Sequence, residues 1–136
     1  MPEVVTPQPV TIPALDFTLP DIHGGFTEIE GAVYLDDEFL VLDMAVSTLG
    51  GIRKKSRVIK IEPRALYSIT MKRGLVKDRI CLRPKKEDLL AAVPGEHRGE
   101  VQLRIWRIHR LDTKRLIKEV RRRMLEADQK TEEETL

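Results

Sequence analysis

The sequence predicts a mainly β domain, in which about six or seven antiparallel strands precede a single C-terminal amphipathic helix. Three observations support this fold class. Apolar and polar residues alternate with period two through much of residues 28–106, which is typical of half-buried strands. The connections between the alternating segments are short, so successive strands should pair antiparallel. One segment, residues 113–127, places apolar side chains at helical spacing.

The N-terminal residues differ from the rest in composition. Five of the eight prolines of the 136-residue chain lie within residues 1–20, and proline disfavours both helices and central strands. We therefore predict that residues 1–27 form a Pro-rich extended arm. Because the arm is also apolar, two interpretations stay open: it packs on its own domain or on a neighbouring subunit, or it is a flexible leader. Its candidate interface residues are Ile12, Leu15, Phe17 and Leu19.

Residues 28–127 are predicted to form the barrel and its helix. Turn residues separate the strands: Asp36 and Asp37 begin the turn of an acidic hairpin, Pro63 ends a strand, and Gly74 separates two more. The predicted strands are 29–35, 39–46, 57–62, 65–73, 79–83 and 101–106, with a short helical turn within 87–93.

The C-terminal helix is predicted to begin after Asp112, a candidate N-cap. Its apolar stripe would cover the open end of a strongly bent sheet. Residues 128–136 form an acidic tail that we expect to lack stable structure. The stripe consists of Leu116, Ile117, Val120 and Met124.

This layout resembles a pleckstrin-homology-like (PH-like) split barrel. Residues Tyr34–Val41 resemble the strand–turn–strand opening of GRAM-type and bacterial PH-like domains, and Val58–Ile69 resemble their step from the third to the fourth strand. The resemblance covers approximately residues 28–125, and its motifs are mainly core and turn positions. Further similar segments are Lys72–Gly74, Arg79–Arg83, Val93–Gly95 and Gly99–Arg110.

The same resemblance bears on lipid binding. In membrane-binding PH domains, the phosphoinositide site uses basic residues of the first hairpin and its flanking strands. In this chain, the hairpin predicted to be first has the acidic turn Asp36-Asp37-Glu38. The resemblance therefore does not assign that lipid site here.

Residues 46–51 resemble the Ser-x-x-Gly element of PilZ domains, which are barrels that bind cyclic dinucleotides. That family has Asp or Asn where Ala45 stands, and an Arg-x-x-x-Arg motif upstream, whereas no arginine precedes Arg53 here. PilZ-type cyclic-dinucleotide binding is thus a further alternative for the function.

Charge is distributed very unevenly along the chain. Residues 1–52 contain nine acidic residues and no lysine or arginine, whereas residues 53–123 contain 23 basic and eight acidic residues. Two basic clusters flank predicted turns, and a bent sheet could bring them to one end as a site for an anionic ligand. Alternatively, the acidic N-terminal residues neutralise them. The candidates are Arg53, Lys54, Lys55, Arg57, Lys72, Arg73, Lys77 and Arg79.

Residues suited to catalysis or metal binding do not converge in the sequence. His23, His97 and His109 are scattered, and Cys81 lies in an apolar strand without a neighbouring base. We expect no enzyme activity, metal or cofactor. The single cysteine excludes an internal disulfide and suits a reducing compartment. Since no apolar run reaches about 18 residues, we expect a cytoplasmic protein without a transmembrane segment.

We therefore predict a non-catalytic binding or scaffolding module that recognises a protein partner or an anionic surface. Anionic phospholipid or nucleic acid bound through the basic 53–79 loops is the alternative. Trp106 alternates with Val101, Leu103 and Ile105, so it should point away from the core and is a further candidate interface residue. Homo-oligomerisation through the arm stays open.

Overall fold

The computed structural model describes residues 12–19, 27–48, 54–93 and 99–135. Within these ranges the chain forms seven strands, three short 3₁₀ turns (Pro63–Ala65, Glu87–Leu90 and Arg107–His109) and one long helix, α1 (Arg110–Thr135). The strands are β1 (Leu15–Thr18), β2 (Thr27–Leu35), β3 (Leu40–Thr48), β4 (Lys54–Ile61), β5 (Leu66–Lys72), β6 (Lys77–Pro84) and β7 (Val101–Trp106).

All seven strands belong to one antiparallel sheet, in the order β4-β3-β2-β1-β7-β6-β5. β4 and β5 are the two edge strands and do not pair with each other, so the sheet is not closed. This architecture confirms the predicted fold class, a mainly β split barrel with a C-terminal helix.

The sheet must be strongly curled, because its two edges are consecutive in sequence. Only the residues 62–65 separate the end of β4 from the start of β5. Five extended peptide steps reach about 18 Å, whereas the edges of a flat seven-stranded sheet would lie about 29 Å apart. The curl therefore brings the two edges close together at the connection Pro63–Ala65.

Helix α1 packs against this gap. It contacts the Pro63–Ala65 turn and β5 more than any other elements of the sheet. Leu116, Ile117 and Val120 are buried in the core, and Met124 packs against it. The predicted apolar stripe is confirmed, because these four side chains lie on the helix face that covers the sheet.

The strand β1 corrects the prediction for the N-terminal arm. Residues 15–18 form a central strand, paired with β2 on one side and β7 on the other. Leu15 and Phe17 are each only 2% exposed. The proline pattern misled because Pro13 and Pro20 bracket this short strand without interrupting it. The remainder of the arm, residues 1–11 and 20–26, lies outside the described residues.

Phe17 also explains a glycine in the neighbouring strand. Phe17 is paired with Gly31, where an added Cβ would lie 2.8 Å from the Phe17 ring and 2.5 Å from the carbonyl oxygen of Asp43. Only glycine fits at this position without displacing the ring or the backbone.

Both ends of α1 differ from the prediction. The helix begins at Arg110, so Asp112 lies within its first turn instead of capping it. An acid there still interacts favourably with the helix dipole. At the other end the helix continues to Thr135, through residues expected to be an unstructured tail. Residues 124–135 contain no proline or glycine, and most are strong helix formers.

The presence of β1 also changes the numbering of the hairpins. Asp36-Asp37-Glu38 joins β2 to β3, so it is the second hairpin and not the first, as predicted. Its turn is closed by Asp36, whose Oδ1 accepts hydrogen bonds from the backbone N–H groups of Glu38 (2.8 Å) and Phe39 (2.6 Å). The connection between β1 and β2, residues 19–26, lies largely outside the described residues.

Candidate functional site

The outer face of β5, β6 and β7 carries a row of three cations. Val101, Leu103 and Ile105 point into the core, which directs Gln102, Arg104 and Trp106 to the outer face. Arg104 is directly opposite Arg79 on β6, and Arg79 is opposite Lys72 on β5. Directly paired residues have Cβ atoms about 5 Å apart. We call Lys72, Arg79 and Arg104 the cation row.

The two arginines of the row lack acidic partners among the described residues. Arg79 Nη1 donates to the neutral Gln102 Oε1 at 3.3 Å. The Nε of Arg104 is buried and has no hydrogen-bond partner in the described part of the chain. Like charges placed directly opposite each other repel, and a bound anion would relieve that repulsion.

One carboxylate, that of Glu100, offsets part of the positive charge of this face. Glu100 Oε2 accepts from Arg83 Nε at 2.9 Å, and its Oε1 lies 3.9 Å from Lys72 Nζ. A hydrogen bond from Gln102, followed by the one from Arg83, lowers the pKa of Glu100 to about 2. Glu100 is thus fully ionised at neutral pH, and it pairs with Lys72 and Arg83, not with Arg79 or Arg104.

Cys81 lies on the same face and is buried. It is 2% exposed, and desolvation, together with Glu100, raises the pKa of its thiol. The thiolate is the reactive form of cysteine, so this environment disfavours reactivity. The expected burial of Cys81 is confirmed.

Trp106 lies beside the cation row. Its side chain is 51% exposed, so the predicted outward orientation is confirmed. Lys77, which is paired with Trp106, places its Nζ 4.5 Å from the centre of the indole ring and donates to Thr18 Oγ1 at 3.3 Å. A cation–π contact of this kind holds both side chains at the surface.

A buried ion pair fixes the adjacent end of the sheet. Asp78 is fully buried and accepts hydrogen bonds from Arg110 Nε (2.9 Å) and Nη2 (2.8 Å). It also accepts from the backbone N–H of Gly74 at 3.1 Å. The Arg110 hydrogen bonds, more than any other contact, lower the pKa of Asp78. This clamp joins the β5–β6 turn to the start of α1.

The described residues contain the second predicted basic cluster, whereas Arg57 is the one member of the first cluster whose side chain they include. Lys72, Arg73, Lys77 and Arg79 lie at the β5–β6 hairpin, whereas Arg57 lies on β4, at the other edge of the sheet. Because the strands alternate in direction, β4 begins at one end of the sheet and β5 ends at the other.

The remaining members of the first cluster fall in different positions. Arg57 Nη1 donates to the carbonyl oxygen of Ala92 at 2.8 Å, which links β4 to the connection after β6. Arg53 and the side chains of Lys54 and Lys55 lie outside the described residues. The same is true of Leu49–Gly51 and the Ser47 side chain, in the segment that resembles PilZ domains.

The predicted interface residues of the arm are corrected in part. Leu15 and Phe17 belong to the core of the chain itself, so they are not available to a partner. Ile12 and Leu19 are partly buried against the same core. Residues 12–19 therefore follow the interpretation in which the arm packs on its own domain. Of the five candidates, Trp106 alone is largely exposed.

A groove between β5 and α1 is a second surface feature. It encloses about 650 Å³ and combines apolar side chains with four cations. Arg121 Nε donates across it to the carbonyl oxygen of Ile69 at 3.0 Å. The lining residues are Met71, Lys114, Ile117, Lys118, Arg121, Arg122 and Leu125.

The described residues lack both a group of metal ligands and a membrane-spanning helix. They contain no group of three or more His, Cys, Asp or Glu side chains that could hold a metal ion. None of their helices is both long and apolar enough to span a membrane. Comparison of the chain with protein-family models, with curated proteins and with solved structures finds no match.

Proposed function

We propose that this chain is a cytoplasmic, non-catalytic binding module of the PH-like type that recognises an anionic surface through the outer face of β5, β6 and β7. The observation that carries the proposal is the cation row, in which Arg79 and Arg104 have no acidic partner among the described residues. Like charges placed directly opposite each other repel, and a bound anion would offset that repulsion.

The shape of the face favours an extended ligand over a small molecule. The row crosses three neighbouring strands, which lie about 4.8 Å apart. Its side chains project from the outside of the barrel, not into a cavity. An array of anionic groups, as in a membrane or a polyanion, would contact several cations together and gain charge-assisted hydrogen bonds.

The strand order supports the PH-like part of the proposal. A curled antiparallel sheet whose edge gap is covered by a C-terminal helix is the arrangement that the resemblance implies. The fold alone does not assign a ligand, because function depends on the site carried by a fold. The proposal therefore depends on the cation row rather than on the resemblance.

A heparin column tests the proposal with two variants of equal net charge. Arg79→Gln/Arg104→Gln removes two of the three members of the cation row, and Lys114→Gln/Lys118→Gln removes two exposed cations of α1. We expect the first variant to elute at clearly lower salt than the second, which should elute near the wild type. Equal elution of the two variants, or no retention of the wild type, would contradict the proposal.

The groove beside α1 favours a second candidate function. Its cations surround exposed Leu125 and partly exposed Met71, which suits an acidic amphipathic segment of a protein partner. The same column distinguishes the two candidates, because a groove site predicts that Lys114→Gln/Lys118→Gln has the larger effect.

A further inference from the structure

We propose that the anionic surface is a phospholipid bilayer, and that the chain docks on it by inserting an apolar tip next to the cation row. This inference rests on the proposed function, since the cation row supplies the long-range attraction. The tip consists of the β5–β6 turn, the connection from β7 to α1 and the first turn of α1, and its exposed apolar residues are Leu75, Val76, Ile108 and Leu111.

These apolar side chains are unusually exposed for their type. Leu75 is 91% exposed and Ile108 is 85% exposed, and they lie in two different connections. The connections lie side by side, because the backbone N–H of Arg107 donates to the carbonyl oxygen of Val76 at 3.0 Å. Clustered exposed apolar residues mark an interaction site more often than scattered ones do.

The tip is held in shape before any ligand binds. Asp78 and Arg110 clamp the β5–β6 turn to α1, and Arg110 Nη2 also lies 3.4 Å from the carbonyl oxygen of Gly74. At Gly74 an added Cβ would lie 2.0 Å from the carbonyl oxygen of Lys77, so the turn is tightly closed. A preorganised tip loses little conformational entropy on docking.

Charge complementarity favours a bilayer with anionic lipids. Arg73 and Arg107 belong to the same two connections as the apolar tip, Lys77 begins β6 beside them, and the cation row follows directly behind. Basic residues near an anionic leaflet are attracted to its surface, and aliphatic side chains gain from leaving water for the acyl region. Trp106, at the boundary between the two groups, suits the headgroup level.

A single-stranded nucleic acid fits the tip less well. Proteins that bind single strands stack successive bases on aromatic side chains. At this end of the described sheet, the exposed aromatic side chain is that of Trp106. The other exposed apolar side chains of the tip are aliphatic. Aliphatic side chains contribute nothing to base stacking, whereas they contribute directly to insertion in lipid.

Vesicle co-sedimentation tests the inference at physiological salt. The vesicles are phosphatidylcholine alone or phosphatidylcholine mixed with phosphatidylserine. The tip variant is Leu75→Ser/Ile108→Ser, and the matched control is Val58→Ser/Tyr67→Ser, which removes two exposed hydrophobic side chains elsewhere. We expect the wild type and the control to bind only the mixed vesicles, and the tip variant to bind them about tenfold more weakly.

The single tryptophan provides an independent measurement. Because Trp106 is the only tryptophan of the chain, its emission should shift to shorter wavelength when the wild type binds mixed vesicles. Equal binding by the tip variant, or binding without an emission shift, would overturn the insertion tip.

The heparin column separates failure of this inference from failure of the proposed function. The tip variant should elute from heparin like the wild type, since its charges are unchanged. Retention on heparin that depends on the cation row, without any binding to mixed vesicles, would overturn the bilayer and leave the anionic-surface function standing, with a nucleic acid or acidic protein as the ligand.

Discussion

The cations of α1 and those of the outer sheet face differ in what surrounds them. On α1, Arg115, Arg122 and Arg123 form ion pairs with Asp112, Glu119 or Glu126, three or four residues away. On the sheet, Arg79 and Arg104 adjoin each other and have no acidic partner among the described residues. The arginines that pair on α1 therefore use acids of the same helix, whereas Arg79 and Arg104 have no acid within reach among the described residues of their own strands.

The difference follows from the geometry of the two elements. A helix brings residues three and four positions apart together, so a sequence such as Glu119-Val-Arg-Arg-Arg123 neutralises itself locally. A strand brings together residues from other strands, so the balance depends on pairing that is distant in sequence. The alternative that the acidic N-terminal residues neutralise the basic clusters stays a prediction.

The largest effect should come from Glu100, the acid that compensates the edge of the sheet face. Glu100→Gln removes the ion pairs with Lys72 and Arg83, and we expect a loss of about 1.5 kcal/mol in the free energy of unfolding at neutral pH. The same change leaves the face more basic, so the protein should elute from heparin at higher salt. A variant that elutes at lower salt would contradict the view that Glu100 limits anion binding.

The stability effect of Glu100 should depend on pH in a defined direction. The pKa of this carboxyl is lowered from 4.5 to about 2 in the folded protein. Its stabilising contribution is therefore complete above pH 4.5 and disappears as the pH falls to about 2. We expect the difference in unfolding free energy between the wild type and Glu100→Gln to shrink over that range, as measured by chemical denaturation. A difference that stays constant from pH 5 to pH 2 would be inconsistent with the ion pairs.

A smaller effect should follow from removing the carboxylate of Glu119, which pairs with Arg122 and Arg123 on α1. Glu119→Gln releases Arg122 and Arg123, and it should cost about 0.5 kcal/mol for each ion pair lost. The helix would then present unpaired cations, so heparin retention should increase and become sensitive to Lys114→Gln/Lys118→Gln.

The control for the helix is Glu126→Gln, which removes one of the two acidic partners of Arg122 and leaves Glu119 in place. Its heparin retention should lie between those of the wild type and Glu119→Gln. If Glu119→Gln leaves retention unchanged, local pairing is not what keeps α1 from binding anions.

The sequence predicts the apolar face of α1 better than it predicts the cation row. The apolar stripe of α1 and the outward orientation of Trp106 follow from periodicity alone. The cation row does not, because it depends on the register between β6 and β7, which are separated in sequence by residues 85–100. Arg104 could have been identified as outward-facing from its alternation with Leu103 and Ile105, but its partner Arg79 could not.

The same limit explains the position of the predicted basic clusters. Lys72 and Arg79 adjoin the β5–β6 turn, as the sequence indicates, whereas Arg57 lies on β4, which pairs with β3. Local signals specify where a strand ends, whereas the end of the barrel at which it ends depends on the full set of pairings. Candidate sites that combine distant turns are therefore the least predictable part of the molecule.

The smallest effect should have the opposite sign to the others. Arg104→Gln removes the like-charge contact between Arg104 and Arg79. It also removes the buried Nε that has no partner among the described residues. We expect a gain of about 0.5 kcal/mol in the free energy of unfolding at low salt, which should disappear at high salt because screening already weakens the repulsion. Heparin retention should fall in the same variant, and the charge-preserving control Arg104→Lys should keep both properties near the wild type. A loss of stability in Arg104→Gln would mean that this arginine contributes to the fold through its packing, and that the sheet face is not held in a state of repulsion that an anion relieves.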